Sequence, residues 1–332
     1  MITSSLYPHL AESMRWPFRH GVFLVFGALL TFSMLTWLTP LLIVVCLGMP
    51  LLFALYGWQS GVFRDVSPRV LLPAIAVSAA ISVTWWVWSE ALVARVYDIP
   101  VAVGSQLLHG LALGLTVSLA GTGLMLAPTV VVKFFHRRVS ESLDGFVIGA
   151  SCALTYSAAG TIAWLAPQVA VGLVDNYAPW RLFEEAFFYG FVDPIVTTAA
   201  GGLLGLRLWF RPGSRCGDPR RVRRILEALT AAGIAIYLAI YLVDAADLSR
   251  FTEIAVNAVL AAMSLVTLRA AIQVTLLHEE ADPGTGATVV CEDCSRTVTD
   301  RPFCPGCGAA SRAMSRTTRS RRIEVPSSGD GD

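Results

Sequence analysis

Charge is scarce in this 332-residue chain: only 15% of residues are Asp, Glu, Lys or Arg, while 55% are hydrophobic. A soluble globular domain carries about a quarter charged residues, so an ordinary water-facing surface is excluded for most of this polypeptide. Lysine is nearly missing, since Lys133 is the single lysine and the remaining basic residues are arginine. The formal net charge of +1 gives no overall basic balance of the kind that draws a protein to nucleic acid. No tandem repeat is visible, and no small-residue cleavage site follows the first apolar run, so that run is expected to be a span and not a leader.

What the chain has in quantity is long apolar stretches, with a mean hydropathy of +0.62. Eight of them reach the roughly 17–25 residues that cross a bilayer as a helix. They lie near 20–38, 40–58, 70–88, 103–127, 145–166, 185–207, 225–244 and 253–276. The sixth is the weakest because it contains Asp193 and Pro194. The predicted fold is an all-α, polytopic helix bundle of about eight spans carrying a small zinc ribbon.

The connecting loops alternate in charge. One set carries fourteen basic residues, seven of them between Arg207 and Arg224, while the other set has only Arg95, Arg181 and Arg250. Basic loops stay on the cytoplasmic side, which predicts an integral protein of the cell membrane with both termini in the cytoplasm. The expected organisation is a cytoplasmic segment 1–19, a bundle 20–278, a Pro/Gly linker 279–290, a zinc ribbon 291–308 and a disordered basic tail 309–332.

The ribbon rests on CEDCSRTVTDRPFCPGCG, in which Cys291, Cys294, Cys304 and Cys307 form two Cys-x2-Cys pairs nine residues apart. Each pair delivers two thiolates to one side of a tetrahedral metal, so the spacing predicts one Zn2+ in a tetrathiolate site. Pro305, Gly306 and Gly308 supply the tight turn. Arg296 and Arg301 offset part of the −2 charge of such a centre. A module this short has no room for a core of its own, and metal binding would supply its folding energy. Disulfides would need an oxidising compartment, which the loop charges do not give. The module resembles the zinc-ribbon tails of many bacterial and archaeal proteins, which implies a structural or protein-binding role and a cytoplasmic protein partner. Arg312, Arg316, Arg319, Arg321 and Arg322 in the tail have no interleaved aromatics, so nucleic acid is not the expected partner.

Ionisable residues inside a span are functional candidates by default. Glu185, Tyr189, Asp193 and Thr197 recur every four residues in the sixth span, and Gly201 and Gly205 continue the row. Such spacing predicts one helix face. His109 in the fourth span and Asp193 are each about nine residues in from the same side, so a polar cavity centred on Glu185, His109 and Asp193 is one expectation. A His–Asp hydrogen bond that only satisfies two buried groups is the plainer one. Gly145, Gly149, Ala153, Ser157 and Thr161 make a small-residue stripe on the fifth span, read as a packing seam.

The segment LMLAPTVVVKFFHRRVSESLDGFVIGASCALTYSAAG resembles the heart of the PrsW family of intramembrane proteases. Pro128, Lys133, the basic loop from His136 to Arg138 and Asp144–Gly145 match that family's pattern, and Tyr156 keeps its aromatic. Thr129 and Val130 stand in place of its paired glutamates, Gly160 replaces the next glutamate, and Asp193 or Pro194 falls where a histidine is expected. Without those carboxylates nothing at that site activates water, so the resemblance implies a PrsW-like member lacking protease activity. Separately, FEEAFFYGF is similar to the Glu-Glu-x-x-x-Arg motif of the CAAX-type protease family, with Tyr189 in the arginine position. That likeness implies the alternative of an active intramembrane protease using Glu184 or Glu185 with His109 and Asp193. A small-solute transporter around the same polar row is a second alternative, although no inverted repeat is visible.

Overall fold

The computed structural model describes residues 12–59, 62–97, 106–135, 141–170, 178–213, 218–244, 249–279, 288–291, 294–299 and 304–306. Ten α-helices lie among them: α1 Glu12–Met34, α2 Leu38–Gln59, the single turn α3 Val62–Asp65, α4 Pro68–Tyr97, α5 Gln106–Phe135, α6 Ser142–Ala170, α7 Pro179–Phe187, α8 Asp193–Trp209, α9 Pro219–Asp244 and α10 Arg250–His278. A π turn, Phe188–Val192, joins α7 to α8 without a break. The only described sheet is a hairpin of β1 Thr288–Val290 and β2 Thr297–Thr299.

Among the described residues seven segments are long and apolar enough to cross a membrane, and α7–π–α8 counts among them as one span, Pro179–Trp209. The first expected span is apolar over the shorter stretch Phe18–Met34. Its helix extends back to Glu12 through Arg15 and Arg19, which are compatible with helix but not with hydrocarbon. The chain turns into α2 through Thr36, whose φ of 54° is unusual for a β-branched residue. Thr36 N–H donates to the Ser33 carbonyl and Trp37 N–H to the Phe32 carbonyl, closing a Schellman-type end.

Burial sorts the spans into a centre and a ring. In α6 and in α7–π–α8, 72% of the span window is buried, against 22–39% in the others. The ring turns large apolar side chains outward, including Leu24 at 71%, Leu51 at 62% and Leu72 at 63% exposure. An apolar exterior of this extent is what a lipid solvent permits and water does not. Trp16, Trp58 and Phe135, at the ends of α1, α2 and α5, are also exposed, in the manner of interfacial aromatic belts.

The centre is held by two rows of small residues meeting in antiparallel register. An added Cβ on Gly145 would lie 2.7 Å from the Gly205 carbonyl oxygen; one on Gly149 would enter the Gly201 carbonyl; one on Gly201 would overlap Ala153. Each step of four along α6 is thus answered by a step of four back along α8. The stripe and the glycine row expected from sequence are two sides of one seam, where the missing side chains let the backbones touch. α4 packs on another side of α6 in parallel. There Ser82 Oγ donates to the Tyr156 carbonyl at 2.6 Å, and Trp86 lies against Gly160.

The ends of α5, α8 and α10 and the start of α6 come together. Lys133 Nζ lies 4.9 Å from the centre of the Trp209 ring. The Glu279 carboxylate accepts from both the Ser142 N–H (2.8 Å) and the Ser142 hydroxyl (2.7 Å). Gly213 N–H donates to the His278 carbonyl at 2.9 Å. Glu279, placed by sequence at the start of the linker, therefore closes the bundle by supplying a carboxylate to the first turn of α6.

Candidate functional site

Two groups of chemically capable side chains stand out: a buried carboxylate in the bundle and the cysteine module beyond it.

The carboxylate is Asp193. Pro194 has no N–H to continue the helical ladder, and its ring crowds the preceding turn. The chain widens there, and Asp193 N–H reaches back to the Phe188 carbonyl in a π turn. Such turns occur often at functional positions. Asp193 is 4% exposed. Ser157 of α6 donates to its Oδ2 at 2.5 Å, while Thr197 at 3.2 Å and Tyr241 of α9 at 3.1 Å donate to its Oδ1. Tyr237 and Tyr241 share a further hydroxyl contact at 3.3 Å. Both carboxylate oxygens therefore have hydroxyl donors, which is how a polar group is accommodated in an apolar interior.

The polar row expected on the sixth span divides at the π turn. Asp193 and Thr197 bond to each other in the interior, whereas Glu185 and Tyr189 line a separate cavity of about 50 Å3 with Leu38, Leu41, Val45 and Leu165. Glu184 is 4.0 Å from Arg250. Asp193's described partners are serine, threonine and tyrosine, and the expected His–Asp hydrogen bond involves a side chain that is not among the described ones. The His109 side chain lies outside the described residues. Sequence reasoning assigned Ser157 to packing and passed over Tyr237 and Tyr241. Two tyrosines four apart in the middle of an apolar span were the available signal, because a buried phenol needs a partner.

Positions singled out by the PrsW resemblance lie on α5 and α6. Thr129 is fully buried, and its hydroxyl has no partner among the described residues. The hydroxyl of Tyr156, which is 4% exposed, also lacks one. The Cys152 thiol lies beside Thr129 and Ser78. Asp144 is buried in the first turn of α6, Lys133 rests over Trp209, Gly160 adjoins Trp86, and Val130 is half-buried on α5. The neighbour that the structure gives Thr129 is the Cys152 thiol.

The cysteine module begins with the β1–β2 hairpin, paired Thr288 with Thr299, Val289 with Val298 and Val290 with Thr297. Its ladder continues as Cys291 N–H donates to the Arg296 carbonyl at 2.9 Å. The chain turns between them through Ser295, at φ 54°. The first Cys-x2-Cys pair therefore sits on the hairpin tip. Cys291, Cys294 and Cys304 offer sulfur atoms all within 4.8 Å of one another. Cys294 Sγ and Cys304 Sγ are 3.9 Å apart. Tetrahedral bonds of about 2.3 Å place sulfurs about 3.8 Å apart, whereas a disulfide brings them to about 2.05 Å. Gly306 N–H donates to Cys304 Sγ at 3.3 Å, and a Cβ added to Gly306 would lie 3.5 Å from the Cys294 sulfur and from the Arg296 stem. These three cysteines can hold a metal ion, and backbone N–H···S contacts of this kind stabilise thiolates. Cys307 lies outside the described residues.

No protein-family model, curated protein or solved structure matches this chain.

Proposed function

We propose that this chain is a PrsW-like membrane scaffold without protease activity, whose C-terminal module binds one zinc ion and presents it to a cytoplasmic protein partner. The observation that carries this reading is the approach of Cys291, Cys294 and Cys304 at the spacing of shared-metal ligands. Cys307, three residues past Cys304, completes a tetrathiolate set. The softness of four sulfurs and their paired spacing favour zinc over harder cations. The module's described apolar interior is only Val289, Cys291, Cys304, Cys294 and Val298. The metal would supply most of its folding free energy, making the ribbon a surface that exists only when loaded.

The absence of catalysis is supported by how the intramembrane acids are occupied. Asp193 is surrounded by three hydroxyl donors, and Glu184 stands near Arg250. Glu185 lines a cavity whose other walls are largely apolar. A general base needs a water or substrate proton within hydrogen-bond reach, and Asp193 faces protein hydroxyls instead. Arginine-rich turns between Arg207 and Arg224 favour placing the ribbon in the cytoplasm.

The test is affinity capture of the full-length, solubilised protein from crosslinked cells, comparing wild type with Cys304→Ser. A protein retained by the zinc-loaded wild type and lost from the variant supports the reading, provided the variant bundle melts normally. Identical partners in both would remove the ribbon's role. A membrane substrate cleaved by wild type but not by Glu185→Gln would overturn the non-catalytic part.

A further inference from the structure

At the arginine-rich end of the bundle, several strong hydrogen-bond donors have no acceptor among the described residues. Trp209 is 1% exposed, yet its indole Nε1 has no partner; a buried indole N–H ordinarily finds one. Lys133 Nζ is held 4.9 Å from the centre of the same ring. Arg211, exposed just past the end of α8, is near enough to Lys133 for their positive charges to oppose one another. Across from them, α9 opens with Arg220, Arg221, Arg223 and Arg224, all exposed. They stand at the positive end of that helix's dipole, where cations are disfavoured.

The described carboxylates nearby are engaged. Glu227 is paired with Arg207, Asp218 accepts from the N–H groups of Arg220 and Arg221, and Glu279 accepts from Ser142. Glu141 and Asp144 also have partners. Cations drawn together without a counter-charge raise the free energy of the fold. The described ion pairs include neither Lys133 nor Arg211, which suits the two cations to an anion from outside the chain.

We propose that Lys133 and Arg211, together with the arginines that open the neighbouring helix α9, bind the phosphate of an anionic membrane phospholipid. The surroundings select a lipid over a free anion. Val131 (50%), Phe134 (75%), Phe135 (79%) and Ile225 (39%) are exposed beside the cations. Acyl chains cover such a surface, and inorganic phosphate leaves it bare. α9 enters its span at Pro219, so its arginines stand at headgroup level.

The experiment is native mass spectrometry of the full-length protein in detergent, titrated with phosphatidylglycerol, phosphatidylcholine or inorganic phosphate. Wild type should retain phosphatidylglycerol at least about tenfold better than phosphatidylcholine, and each cation removed should weaken retention about fivefold. Lys133→Gln/Arg211→Gln should therefore lose most of the preference. Should that variant fail to fold, Arg220→Gln/Arg221→Gln/Arg223→Gln/Arg224→Gln alters only exposed side chains and, with four cations removed in place of two, should lower retention at least as much. Equal retention of the two lipids, or an undiminished preference in the variant that folds, overturns the proposal. Displacement of phosphatidylglycerol by millimolar inorganic phosphate would overturn the choice of a lipid.

Discussion

Ser157 on α6 donates a hydrogen bond to Asp193 on α8 across 2.5 Å, at the point where the small-residue seam between the two central helices gives way to polar chemistry. Below that point the helices touch through glycine; above it they are joined through a carboxylate. Thr197 and Tyr241 complete the arrangement, so Asp193 ties α6, α8 and α9 together.

The first prediction concerns that tie. Asp193→Leu removes the acceptor for three hydroxyls. Ser157 and Thr197 can turn to carbonyls four residues back, as Thr161 and Thr198 already do, whereas Tyr241 keeps only its longer hydroxyl contact with Tyr237. The expected loss is therefore about 2–4 kcal/mol and not three full desolvation terms. Ser157→Ala should cost about 0.6 kcal/mol, the average measured for hydrogen bonds between membrane helices, and at most about 1.7 kcal/mol. Asp193→Asn keeps one acceptor oxygen and should cost least. Unfolding in mixed micelles ranks the three. If Asp193→Asn proved the worst of them, the charge itself would matter and a purely structural role would fail.

The second prediction concerns the glycines. Gly149→Ala places a methyl group inside the Gly201 carbonyl, a backbone atom that yields only if the helices separate. Overpacking of this kind costs about 1–3 kcal/mol. Gly205→Ala meets the Gly145 carbonyl in the same way. Gly27 has nothing within 4 Å of an added Cβ, so Gly27→Ala should leave stability unchanged or raise it by up to about 1 kcal/mol. A thermal melt of all three in one detergent decides the matter. Equal melting temperatures would mean the seam is looser than its contacts indicate.

These two cases also show how far the sequence could be read. The seam was legible because small residues four apart on two helices leave a pattern that survives without knowing the partner. Glu185 to Thr197 was legible as a polar row but not as two separate sites, because Pro194's effect acts on the backbone ladder and hydropathy registers only side chains. Tyr237 and Tyr241 escaped because an aromatic hydroxyl counts as apolar in such a scan. The four cysteines were legible as a metal set because ligand spacing is itself the local geometry. Thr288–Val290, read as the end of a linker, became a strand because its partner lies across the first Cys-x2-Cys pair.

The third prediction concerns Glu279. Its carboxylate accepts from the N–H and hydroxyl of Ser142 at the start of α6. Loss of a capping acceptor costs about 0.5–2 kcal/mol, so Glu279→Ala should lower the melting temperature by a few degrees. Glu279→Gln retains an acceptor oxygen and should fall between. Hydrogen exchange would localise the effect to the first turn of α6. If protection there were the same in both variants, the capping assignment would be wrong.

The fourth prediction concerns the metal. Purified full-length protein should carry one zinc per chain, and Cys304→Ser should carry none, because Cys304 is a buried member of the thiol cluster and accepts the Gly306 N–H. Loss of a single thiolate does not merely weaken such a site. The hairpin Thr288–Thr299 has only three residue pairs, far too few for independent stability, so the strands and the metal must form together. A strong chelator should therefore expose all four thiols to alkylation at once, while leaving the melt of the bundle in place. Thiols that become reactive one by one would indicate a module folded without metal. Oxidised cysteines resistant to alkylation until reduced would indicate disulfides, against the 3.9 Å separation of Cys294 and Cys304.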